Sequence, residues 1–264
     1  MLRVVVLLTL VSTLYCGCSS KEQAVFSDPH SASNPIEAQA KHLVWRAAVD
    51  FDLRTIKAQA SWLISQSADA KHIIFDTYDL VIERVWLDDN KSTNWHLTDS
   101  LPYLGRALWV ELDENTQWVH IRYKSRPEAK GLQWLDSQQT KGQQHPFLFS
   151  QGQAILTRSW LPCQDSPGLR FSFEAEVQVP AGLMAVMSAL NPKTQSKTGL
   201  YHFENRRPIP AYLFALAVGD FRYQAYDNRS GIYAEAQSLP AAWQEFANLP
   251  SMMRAAEKLF SPYP

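Results

Sequence analysis

Cysteine, glycine and any excess of one charge are in short supply in this sequence. The 264 residues carry 25 Lys and Arg against 26 Asp and Glu, a formal net charge of −1. No global field therefore draws the chain to a phosphate backbone, and nucleic acid is excluded as its expected partner. The three cysteines are Cys16, Cys18 and Cys163; if Cys16 leaves with a leader and Cys18 is acylated, Cys163 has no partner and no internal disulfide can hold the fold. Cys163, beside a proline, reads as a small buried residue. With 10 glycines the chain has no Gly-x-Ser-x-Gly elbow, no phosphate-cradling Gly-x-x-x-x-Gly-Lys and no dinucleotide fingerprint. The seven histidines, His30, His42, His72, His96, His120, His145 and His202, form no i, i+4 pair and no His-Glu-x-x-His. Read from the residues alone, the chain offers no metal site and no catalytic residue.

What is present is core-forming material and an export signal. Nine Trp, 10 Tyr and 12 Phe within a 46% apolar composition allow a large aromatic core, each ring stabilising by about 1.5–3 kcal/mol when fully buried. A basic start at Arg3 and the run from Val4 to Val11, too short to span a bilayer, read as the apolar part of a signal peptide over 1–17. Gly17-Cys18 supplies the small residue and thiol that bacterial lipid attachment needs, although Tyr15 stands where such sites usually carry Leu. The expectation is an exported, periplasmic chain tied to a bacterial membrane by a lipid on Cys18. Residues 18–35, rich in Ser, Ala, Asp, Asn and Pro, read as a flexible tether.

From Lys41 to Tyr233 short apolar runs alternate with turn residues. The runs are Leu43–Leu53, Ile56–Ile64, His72–Phe75, Leu80–Leu87, Leu108–Leu112 and Trp118–Tyr123, a spacing that predicts a mainly β domain over 36–235. In Leu169–Val179, Phe171, Phe173, Ala175 and Val177 alternate with Ser172, Glu174, Glu176 and Gln178, which predicts a strand with one buried face. Two short helices are predicted over 236–264, the first from Ser238 with Trp243, Phe246 and Ala247 on one face, the second capped by Ser251 after Pro250 breaks the first. They have little to pack against, so Trp243, Phe246, Met252, Met253 and Phe260 are expected to stay partly exposed.

Two segments invite a chemical reading. In Phe147–Ala154, Gln151 and Gln153 share a face if the chain is extended, and Gly152 lets another backbone or a ligand approach. A carboxamide gives two donors and an acceptor without charge, suited to a peptide amide, an α-amine or a carboxylate; a polar strand face in solvent explains the pattern equally well. Arg158–Pro167, with two prolines and Asp165, reads as a rigid hydrogen-bonded loop that holds its neighbours.

Ser150-Gln151-Gly152-Gln153-Ala154, Leu161-Pro162-Cys163-Gln164-Asp165-Ser166-Pro167 and Ala185-Val186-Met187-Ser188-Ala189, in that order, closely resemble the N-terminal domain of the zinc aminopeptidases, in the leukotriene hydrolase branch. Pro208–Asp220, Gly231–Glu235 and Ala256–Pro264 resemble the same branch, and weaker similarity runs back through His72–Thr77 and Leu80–Glu83 to about Asn34. The resemblance implies a saddle-shaped, multi-sheet β domain with two short helices at its C-terminal end, lying against a thermolysin-like catalytic domain as one wall of its cleft. It implies that Gln153 contacts peptide substrate near the scissile bond, with Gln151 close by. The Gly-Gly-Met-Glu-Asn segment that reads the free amine, the zinc-binding His-Glu-x-x-His and the transition-state tyrosine of that family are not in this sequence. Zinc belongs to the intact family, with no cofactor expected in this chain.

These features predict the N-terminal portion of an exported zinc aminopeptidase, with 236–264 as the truncated start of a catalytic domain, inactive alone. One alternative is a non-catalytic peptide- or partner-binding lipoprotein. Another is a β module docked to a separately encoded catalytic half.

Overall fold

A computed structural model describes residues 28–263. The signal peptide read over 1–17, the acyl site at Cys18 and the tether up to residue 27 lie outside the described residues. In chain order the strands are β1 (Ala38–Asp50), β2 (Thr55–Gln66), β3 (His72–Thr77), β4 (Val81–Leu87), β5 (Trp95–Leu97), β6 (Arg106–Glu111), β7 (Trp118–Lys124) and β8 (Leu132–Leu135). There follow β9 (Phe147–Ser150), β10 (Arg170–Gln178), β11 (Met184–Met187), β12 (Leu200–Pro210), β13 (Leu216–Gly219), β14 (Phe221–Ala225) and β15 (Gly231–Glu235), then helices α1 (Leu239–Glu245) and α2 (Leu249–Leu259). The mainly β, multi-sheet expectation is what the structure has.

Six strands form the main sheet in the order β12-β10-β1-β2-β7-β4, with β1 and β10 parallel and the other neighbours antiparallel. A four-stranded sheet runs β11-β13-β9-β8, a three-stranded one β3-β6-β5, and β14 pairs with β15 as a hairpin. The inner face of the main sheet shows why these residues make these strands: Phe171, Phe173, Ala175 and Val177 of β10 are buried while Glu174 and Gln178 are exposed. Leu43, Trp45, Ala47 and Val49 of β1 do the same beside them. Their aromatic rings meet others from the loops. Trp45 lies edge-on to Trp160 at 5.8 Å and to Phe214 at 5.4 Å, and Trp160 stacks on Phe214 at 5.3 Å. Two polar groups of this cluster are paired: Trp45 Nε1 donates to Tyr123 Oη at 2.9 Å, and that hydroxyl donates to the Trp160 carbonyl at 3.0 Å, while the buried Trp160 Nε1 has no partner among the described residues.

β12 escaped the sequence reading because Glu204, Asn205, Arg206 and Arg207 interrupt its apolar pattern and prolines end it. It is an edge strand, where polar side chains and a missing N–H are tolerated.

The tether reading is corrected for its described part. Ser31 Oγ donates to Asp76 Oδ2 at 2.6 Å and the Ala32 N–H to Asp76 Oδ1 at 2.8 Å, while Arg158 Nη2 donates to the His30 carbonyl at 2.8 Å. A composition that reads as solvated linker here supplies the donors a buried carboxylate needs.

The helices form where expected, with one correction. Pro250 does not precede α2 but lies in its first turn, after Asn248 as N-cap, and Ser251 is inside the helix; the first turn lacks N–H partners anyway, so proline costs nothing there. Neither helix buries a residue. α1 leans on the β14–β15 hairpin through Tyr226, whose ring stacks on Trp243 at 4.0 Å, and α2 is tied by two hydrogen bonds from Arg229 to Glu257.

Candidate functional site

The segment after β9 is fixed at both ends. On the strand side, Ser150 Oγ accepts the Leu216 N–H at 2.8 Å and the Gln151 N–H donates to the Gly131 carbonyl at 2.8 Å. On the other side Thr157, Arg158 and Ser159 form a fully buried 3₁₀ turn. Between them Gln151 and Gln153 are exposed and Gly152 is buried.

The extended, same-face geometry does not occur: β9 stops at Ser150, and the chain turns so that the Gln153 N–H donates to Gln151 Oε1 at 3.2 Å. The Gln153–Ala154 peptide bond is cis. The turn brings Gly152 into a place that only glycine fits. A Cβ at this residue would lie 2.5 Å from Thr157 Oγ1 and 3.0 Å from the Tyr212 backbone. The close approach that glycine allows is thus made by another backbone. Gln151 spends its carbonyl on the turn, which leaves its amide group and the whole Gln153 carboxamide without a hydrogen-bond partner among the described residues. Both glutamines can therefore act together on an incoming polar group, as a loop pair rather than as a strand face.

Tyr212 belongs to the 3₁₀ turn Ala211–Leu213, clamped against the loop by Thr157 Oγ1, which donates to the Ala211 carbonyl at 3.0 Å. Ser188 holds the far side of that turn: its hydroxyl donates to the Leu213 carbonyl and accepts the Ala215 N–H. Segments around residues 151, 188 and 212, far apart in sequence, converge here. Tyr212 carried no chemical signal in the sequence, since one tyrosine among apolar residues reads as core.

Beneath the loop lies a buried polar corner. Arg158 donates through Nε to Asp165 Oδ2 at 3.1 Å and has Nη2 3.7 Å from Asp76 Oδ2; all three side chains are almost fully buried. The Asp165 N–H donates to Asp76 Oδ2 at 2.9 Å. Burial pushes the Asp165 carboxyl up to about 6 against the pull of Arg158. Gln164 donates through Nε2 to the Ala38 carbonyl at 2.9 Å and accepts the Ala40 N–H at 3.0 Å, serving the backbone where β1 bulges. The hydrogen-bonded loop read over Arg158–Pro167 is what the structure has. Sequence reasoning missed Asp76 as a member of this corner, although an Asp inside the apolar strand His72–Thr77 was a visible break in pattern.

The histidines do not fit a zinc ion. His42 is hydrogen-bonded to Ser172, His120 to Ser61 between Trp86 and Trp118, and His72 and His96 both stack on Trp109. Among the described residues no three His, Cys, Asp or Glu side chains gather as a metal site. Cys163 is buried and its thiol is pushed well up by that burial. A groove of about 600 Å³ on the outer face of the main sheet, lined by Arg46, Glu174, Glu176, His202 and Glu204 among others, shares no residue with the glutamine loop.

Residues 39–213 match the Peptidase M1 N-terminal domain. The chain belongs to the M1 peptidase family. As an M1 N-terminal domain it is 35% identical over 248 residues to leukotriene A-4 hydrolase of Xenopus laevis, covering 90% of this chain and 41% of that protein. It superposes on yeast LTA4 hydrolase in complex with bestatin with a TM-score of 0.84 at 28% identity, covering 92% of this chain and 38% of that one. An M1 zinc metallopeptidase of Deinococcus radiodurans shares the fold, with a TM-score of 0.65 at 19% identity over 86% of this chain and 55% of that chain. The chain spans about two fifths of the length of curated relatives it matches, and zinc is the metal of the intact M1 metallopeptidases.

Proposed function

We propose that this chain forms one wall of the substrate cleft of an exported, leukotriene-hydrolase-like zinc aminopeptidase, and that Gln151 and Gln153 hold the amino-terminal end of the peptide. The observation that carries this is the pair of exposed carboxamides on a loop anchored by β9 on one side and by the buried Arg158 turn on the other. A loop already anchored at both ends adds little backbone ordering cost on binding. Gln153 supplies an amide N–H to a peptide carbonyl and its own carbonyl to an α-ammonium, while Gln151 keeps the loop closed and adds one more donor.

The chain provides orientation and no chemistry. A zinc hydrolase needs three protein ligands around the ion to lower the pKa of bound water to about 7, and among the described residues no three His, Cys, Asp or Glu side chains gather to hold one. Zinc ligands, amine-reading segment and transition-state tyrosine would come from further sequence or from a separate polypeptide. Exposed Phe246, Met252 and Phe260 offer that body an apolar seat. Export through the 1–17 leader and a lipid on Cys18 complete the reading.

Titration of the full chain with a short peptide amide, followed by amide NMR, tests the grip. Saturation in about the millimolar range, with the largest shifts at Gln151 and Gln153 and loss of affinity in Gln153→Ala, is expected. Shifts elsewhere, or an unchanged affinity in Gln153→Ala, would overturn it. Tight, micromolar binding by the chain alone would favour the other reading, a peptide-binding lipoprotein.

A further inference from the structure

The connection between β5 and β6 ends in a rigid knuckle. Leu101 and Gly105 exchange backbone N–H···O=C bonds at 2.8 and 3.0 Å, closing the loop on itself. Gly105 has φ +81°, and a Cβ there would meet the Thr77 carbonyl at 2.2 Å, so the glycine seats the loop against the end of β3. Outside the closed backbone stand Leu101, 56% exposed, Pro102, and Tyr103, 83% exposed. The paired amides hold the backbone of this tip in place, since their loss would leave backbone groups unsatisfied.

The N-terminal segment enters beside this knuckle. One guanidinium, that of Arg158, donates to the Leu104 carbonyl at 3.1 Å and to the His30 carbonyl at 2.8 Å. On the other flank the Tyr78 N–H is bonded to the Arg158 carbonyl at 2.9 Å, and the Lys130 ammonium sits 4.3 Å from the centre of the Tyr78 ring. An exposed leucine and tyrosine beside a half-buried tyrosine and a lysine, with exposed Asp79 and Asp99 at the margin, is a residue mixture compatible with a membrane–water interface. Cys18 stands ten residues before Asp28, a reach of at most about 33–36 Å when fully extended.

We propose that the Leu101–Tyr103 knuckle is a membrane-contact surface that rests in the interfacial layer of the bilayer to which Cys18 is attached, and so sets the orientation of the domain over that bilayer. The tip is too small to hold the protein alone; a tether this short keeps it at high effective concentration at the surface. The inference takes only proximity from the lipid-anchor reading. The chemistry of the surface stands on the knuckle itself.

The test uses the full chain carrying Tyr103→Cys, labelled with an environment-sensitive fluorophore and reconstituted in vesicles of phosphatidylethanolamine and phosphatidylglycerol. The same chain with Leu190→Cys, on the turn after β11 and 87% exposed, is the comparison. Buried Cys163 does not compete for label, and a peptide mass spectrum of each sample reads the label position and the state of Cys18. A nitroxide on the lipid headgroup is expected to quench the label at position 103 by about two-fold or more and to leave that at position 190 unchanged; Leu101→Ser should weaken the effect. Quenching with an unmodified Cys18 would remove the anchor and keep the surface. A label at 103 that lipid nitroxide does not reach overturns the proposal, whether aqueous iodide quenches it fully or a protein partner shields it.

Discussion

Trp45, Trp62, Trp160 and Phe214 of the β body are almost wholly removed from water, whereas Phe246, Met252, Leu259 and Phe260 of the two C-terminal helices are 53–86% exposed. The residue types are alike; the partners are not. In the body the inner apolar faces of the sheets meet one another, and the loop Arg158–Pro167 closes the gap with rings and an ion pair. The helices lean on the hairpin before them, held there through Tyr226 and Arg229. Helical periodicity states that a face exists, and topology decides whether anything covers it. On the proposed function the same division applies: the packed body anchors the glutamine loop, and the uncovered helices would seat another body.

Four substitutions can break or sharpen that contrast. Arg158→Ala strips two buried carboxylates of their guanidinium and should lower the unfolding free energy by about 3–5 kcal/mol in urea titrations. Gly152→Ala drives a methyl into Thr157 and the Tyr212 backbone and should cost about 1–3 kcal/mol by the same assay, while shifting the amide resonances of the glutamine loop. Asp165→Asn should act through pH. With its carboxyl raised from 3.8 to about 6 by burial, the folded chain keeps a proton between pH 4 and 6 that the unfolded chain releases. That contribution to stability is therefore present below pH 4 and lost as pH rises through 6, and the variant should flatten the slope over this window. Met252→Ser on α2 should change stability by less than about 0.5 kcal/mol and raise solubility; a larger loss would mean that the helices already pack on the body.

Much of the body was legible because its strands alternate. Phe171 to Val177 reads as a half-buried strand and is one. What was not legible depends on contacts between distant segments. Nothing local to residues 28–35 says that Ser31 and Ala32 satisfy Asp76, or that Arg158 is nearly fully buried with two carboxylates beneath it. Gln151 and Gln153 stood out by type, yet their loop is packed beside the backbone of Tyr212, some sixty residues on, where only a glycine fits at 152. β12 was hidden by charges that an edge strand can carry.

The central claim is that this chain grips and does not hydrolyse. Its most direct test is release of nitroaniline from an aminoacyl nitroanilide by the pure full chain with zinc added, and again after chelation. The account expects the rate of buffer alone in both; zinc-dependent release that a chelator abolishes would contradict it.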